Sequence, residues 1–120
     1  MKVFVYGTLM SGHGNNRLLR NSEFIGEHIV KDHKLYFAWG QGGFPVARQS
    51  TGDSVKGELW DIKEDKEVLR NLDALEGEGR MYNRVEVEPD TFMYIGHPDA
   101  WHYDRMNECP IVNGNHQWSR

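Results

Sequence analysis

One stretch of this 120-residue chain has helical periodicity, and strand-like segments flank it on both sides, so a sheet packed against a single main helix is the expected fold. Over residues 64–75 the apolar side chains Val68, Leu69, Leu72 and Leu75 recur at helical spacing. Glu64, Asp65 and Glu67 crowd the start, where a helix dipole favours anions. Gly77 or Gly79 is expected to end the helix. Elsewhere apolar residues alternate with polar ones or form short β-branched and aromatic runs. A chain of this length supports one core, and residues 1–120 therefore read as one domain.

The first strand, from Lys2 to Tyr6, runs uncharged through Val3-Phe4-Val5-Tyr6 into Gly7, as a strand buried on both faces would. Lacking a Cβ, Gly7 can take a positive φ and aim the N–H groups of Thr8 and Leu9 in one direction, a nest that suits a carboxylate. An ordinary strand-end glycine is the plainer alternative. Asn15 or Asn16 then caps a short helix over Arg17–Arg20. Residues 23–37 read as two strands broken by a kink or turn, with Gly26 and the polar Lys31–Lys34 as the interruptions. Residues 46–48 and 54–61 read as the two arms of a hairpin turning at Ser50–Asp53, and Gly57 within the second arm implies close approach by another backbone. Residues 81–88 alternate, with Tyr82, Arg84, Glu86 and Glu88 on one face, and 91–95 form a further strand. The segment 97–120 is irregular and either wraps the sheet or is partly disordered. The fold class is α+β: a small mixed, barrel-like sheet with one main helix and a short one.

Composition narrows the function. A formal charge of −4 with no basic run argues against a nucleic-acid partner. No apolar run approaches the roughly 20 residues of a membrane helix. The single cysteine, Cys109, has no internal partner, and without a signal-peptide layout the expected location is the cytoplasm. The six histidines are scattered, so no metal site is expected, and no Gly-x-Ser-x-Gly marks a serine nucleophile.

Tyr6-Gly7-Thr8-Leu9, Gly57-Glu58-Leu59-Trp60, the helix end Leu72-Asp73-Ala74-Leu75-Glu76 and Tyr82-Asn83-Arg84 together resemble, in order and spacing, the γ-glutamylcyclotransferase-like (AIG2-like) family. The pattern is most similar to that of its γ-glutamylamine cyclotransferases. The resemblance implies a compact β-barrel flanked by helices and a cofactor-independent reaction, in which a γ-glutamyl-amine or γ-glutamyl-amino-acid cyclises to 5-oxoproline and releases its amine. It implies Glu76 as general acid and base, with Tyr6, Gly7, Thr8, Leu9 and Tyr82 at the substrate. Glu78, between two glycines, is the rival carboxylate; Tyr82 otherwise packs, and Arg84 pairs with a neighbouring acid. Trp39 and Phe44 either wall the pocket or pack on the core. A domain of this fold that binds a small carboxylate without turnover is the alternative.

Overall fold

The computed structural model describes residues 1–37 and 44–119. Among them are the strands β1 (Lys2–Val5), β2 (Glu23–Phe37), β3 (Pro45–Asp61), β4 (Tyr82–Glu88), β5 (Thr91–Gly96), β6 (Asn107–Glu108), β7 (Ile111–Val112) and β8 (Asn115–His116). They join a single mixed sheet in the order β4-β5-β1-β3-β2-β6, which curls into a half-barrel; β8 attaches to β3 and β7 to β8. β1 runs antiparallel to β3 and parallel to β5. The helix α1 (Lys66–Glu76) and two short 3-10 helices (Gly14–Leu19 and Tyr103–Arg105) complete the described elements.

Alternation along β1 explains its uncharged sequence. Val3 and Val5 enter a core with Leu9, Leu19, Trp60 and the α1 residues Val68 and Leu72. Phe4 and Tyr6 enter a second, with Val30, Leu35, Val55, Met93 and Trp118. A strand with a core on each face has no place for a charge. Gly57 sits where β3 crosses β1: a Cβ there would lie 2.2 Å from the Val5 carbonyl oxygen, the close approach that the sequence implies.

Three expectations change. The short helix starts at Gly14, so Asn15 and Asn16 lie within it rather than capping it, and their side chains reach back to Thr8 and Leu9. Residues 23–37 form one strand, because Gly26 (φ 149°) and Asp32 (φ 63°) are absorbed as register shifts rather than as breaks. The expected hairpin of 46–48 against 54–61 is absent: both segments belong to β3 and pair with β2, through Lys34↔Arg48 and Lys31↔Ser54. Residues 50–53 bulge opposite Asp32, whose Oδ1 accepts the Gly52 N–H at 3.1 Å.

The last segment wraps the sheet. β6 extends the edge at Tyr36 and Phe37, the Cys109 N–H donates to Leu35 O at 2.8 Å, and Trp118 is buried in the second core. No helix among the described residues is long and apolar enough to cross a membrane.

Candidate active site

α1 is a well-terminated helix. The Asp65 carboxylate accepts the N–H groups of Glu67 (3.0 Å) and Val68 (3.2 Å), and Gly77 closes the helix in the left-handed conformation at φ 59°. Glu76 is thus the last helical residue, where the expected helix stopped at Leu75. It lines a cavity of about 490 Å³ between the helix end and the turn after β1.

Tyr6, Gly7, Thr8, Leu9 and Tyr82 line the same cavity, so the structure brings together all six residues singled out in the sequence. The reason for Gly7 is different from the one expected. Its φ is not positive; a Cβ there would lie 2.5 Å from Pro45 Cγ, so glycine is required by contact with the start of β3. The turn is fixed by other bonds. Met10 N–H donates to Gly7 O (3.0 Å), Asn15 Nδ2 to Thr8 Oγ1 (2.8 Å) and Asn16 Nδ2 to Leu9 O (2.8 Å). No described residue accepts from the N–H of Thr8 or Leu9, which leaves two donors at the cavity.

Burial alone pushes the Glu76 carboxyl up to about 7, from an ordinary value of 4.5. The tyrosines around it are also shifted upward, chiefly by burial, with the Glu76 charge adding to the effect on Tyr6, Tyr82 and Tyr94. These phenols stay protonated, and each proton is already committed. Tyr82 donates to Pro45 O at 3.0 Å, Tyr6 to Tyr94 O at 2.5 Å, and Tyr94 to Asp73 Oδ1 at 2.6 Å. They therefore offer a ligand ring faces and lone pairs, and the open donors are the turn amides.

Glu78 is exposed and accepts the Arg84 N–H at 3.3 Å, outside the cavity lining. Arg84 pairs through its guanidinium with Asp73, the neighbouring acid. Phe44 lines the cavity, whereas Trp39 lies outside the described residues.

Four contributors were not picked out from the sequence. Asn15 holds Thr8 as described, and Tyr94 holds Asp73. Glu58, in the Gly-Glu stretch, accepts from Ser11 N–H (2.7 Å) and Trp60 Nε1 (3.2 Å), anchoring the loop after Leu9. Trp101 walls the cavity with its Nε1 on Met81 O at 2.7 Å. Tyr94 was read only as part of a strand, and its alternation with Phe92 is the signal that could have found it; nothing local marked Trp101.

The turn after β1 thus brings two amides without an acceptor among the described residues, those of Thr8 and Leu9, to the same cavity as the partly buried Glu76 carboxyl. The chain belongs to the gamma-glutamyl cyclotransferase, AIG2-like family, whose model matches residues 3–120. It is 33% identical over 98 residues to a gamma-glutamylcyclotransferase family protein of Citrobacter rodentium, covering 79% of this chain and 81% of that one. Its fold matches the solution structure of the Escherichia coli protein ytfP, with a TM-score of 0.70, 27% identity and coverage of 98% and 96%. An AIG2-like protein of Mus musculus shares the fold at a TM-score of 0.65 and 24% identity, over 99% of this chain and 95% of that one.

Proposed function

We propose that this protein is a γ-glutamyl cyclotransferase that converts a γ-glutamyl-amine or γ-glutamyl-amino-acid into 5-oxoproline and the free amine, with Glu76 as general base and then general acid. The observation that carries this reading is a carboxyl with a pKa near 7, raised by burial, in the same cavity as the amides of Thr8 and Leu9.

In this mechanism the substrate α-carboxylate sits on the turn amides, which folds the glutamyl chain back on itself. Glu76 takes a proton from the α-ammonium, and the freed nitrogen attacks the γ-carbonyl carbon. The proton on Glu76 then passes to the departing nitrogen as its C–N bond breaks. Water is not consumed, and the reading requires no cofactor. A carboxyl near 7 suits both transfers at neutral pH, being neither too weak to accept nor too strong to donate. The buried Cys109, its thiol pushed up to about 12 by burial, takes no part and fits a reducing cytoplasm.

Mass-spectrometric detection of 5-oxoproline from a panel of γ-glutamyl donors tests the reading. Release by the wild type and not by Glu76→Gln is the expected result. Equal release by both would remove Glu76 from the mechanism, and no release by folded protein from any donor would favour a binding domain.

A further inference from the structure

Around the mouth of the cavity, four apolar side chains from four separate segments converge. They are Phe44 before β3, Leu75 at the end of α1, Met81 before β4 and Trp101 after β5. Three of them are unusually open to solvent for their size: Phe44 is 62%, Leu75 43% and Met81 45% exposed. Exposed apolar surface collected at a pocket, rather than scattered, marks a place where a ligand completes the burial.

This surface is built rather than incidental. Met81 lies over Gly77, its N–H bonded to Gly77 O at 2.9 Å, which ties it to the helix end that carries Glu76. Trp101 is pinned by its bond to Met81 O and packs against Tyr82 with the rings tilted by 57° and 5.5 Å between centroids. Apart from Glu76, no described residue that lines the cavity carries a charged side chain.

Resting on the cyclotransferase reading, we propose that these residues form a specificity wall that selects an extended apolar group, alkyl or aryl, on the leaving nitrogen. The glutamyl part is held by the turn amides and Glu76, and a cavity of about 490 Å³ is larger than that part alone needs. A carboxylate on the leaving group would be buried against the wall with no cation to meet it, and an ammonium would lose hydration with no carboxylate beyond Glu76. An apolar chain meets no such penalty and gains from each methylene covered.

The test is kcat/KM for γ-glutamyl-methylamide, -butylamide, -hexylamide and -benzylamide beside γ-glutamyl-alanine and γ-glutamyl-ε-lysine. The expected result is a rise of about threefold per methylene along the alkyl series, with the hexylamide and benzylamide at least about tenfold above the alanine and lysine donors. In Met81→Gln, an exposed position whose change spares the core, the ratio of hexylamide to methylamide is expected to fall about fivefold or more. A flat alkyl series, or alanine or lysine donors turned over as fast as the hexylamide, would overturn the wall while leaving the cyclotransferase reading intact. No 5-oxoproline from any donor with folded protein would overturn both.

Discussion

Glu76 shows how burial at one residue trades stability for a carboxyl that titrates near neutrality. Its folded pKa of about 7 exceeds the ordinary 4.5, so the folded protein holds this proton more tightly than the unfolded chain does. As pH rises from 4.5 towards 7 the unfolded chain loses its proton first, stability falls, and above 7 the full cost of a buried charge is present. Allowing for partial exposure, that cost is about 2–3 kcal/mol. Glu76→Gln is therefore expected to be more stable than the wild type by about that amount at pH 8 and nearly equal at pH 4, in urea titrations at both values. The same substitution should lower kcat about 10²- to 10⁴-fold, and the acidic limb of the wild-type kcat/KM profile should bend near pH 7. A variant that loses activity while gaining stability only at high pH separates a titrating carboxylate from a packing role. Gly7 makes the complementary case. Its importance was legible, but the reason was not, because Pro45 is distant in sequence and only the folded sheet brings its ring against the turn. Gly7→Ala should cost about 1–3 kcal/mol through that clash, read as a lowered urea midpoint.

At the scale of elements, the end of α1 is aimed by Asp73. One of its carboxylate oxygens takes the Tyr94 hydroxyl of β5 and the other the Arg84 guanidinium of β4, so two strands hold the helix one turn before Glu76. In the proposed mechanism, Leu-Asp-x-x-Glu thus joins a positioning residue to the proton-transfer residue. Asp73→Asn weakens both charge-assisted bonds without emptying space. It should lower kcat about 10- to 100-fold through misplacement of Glu76, with less change in KM, while 5-oxoproline binding monitored by calorimetry stays near wild type. The sequence made the helix and its glycine stop legible, since periodicity and a C-terminal glycine are local, but it placed the start at Glu64 and missed Asp65 as the N-cap before Lys66. That Arg84 pairs with an acid was legible, but which acid was not, since Asp73 lies on another element and only the fold brings the two together. The long strands β2 and β3 were misread as four pieces. Gly26, Asp32 and Ser50–Asp53 have the composition of turns, yet a sheet absorbs such residues as bulges when the strand beyond them still finds its partner. Local composition carries no information about that partner.

For the whole molecule, the open question in the sequence was the segment 97–120, and the structure makes it part of the core. Its strands are two residues long and mostly polar, too short for a period to emerge, so its order comes from tertiary contacts alone. Trp118 closes the second core and lies against His13 at 5.1 Å, while His116, also buried, places its Nδ1 3.2 Å from Cys109 O. That core includes Phe4 and Tyr6, which also line the cavity. The tail therefore packs into the same core as two side chains that line the site. Trp118→Ala removes a large buried ring from a small domain and should cost about 3–5 kcal/mol, against a total of about 5–15 kcal/mol for domains of this kind. The urea midpoint should fall steeply, yet kcat measured well below that midpoint should stay within about threefold of wild type, since Trp118 does not line the cavity. Deletion of residues 107–120 removes β6, β7 and β8 together with Cys109 and Trp118, and should abolish the cooperative transition and the activity together. Were the shortened chain to keep a sharp urea transition near the wild-type midpoint, the tail would be an ornament, and the bracing of β1 would have to come from β3 and β5 alone.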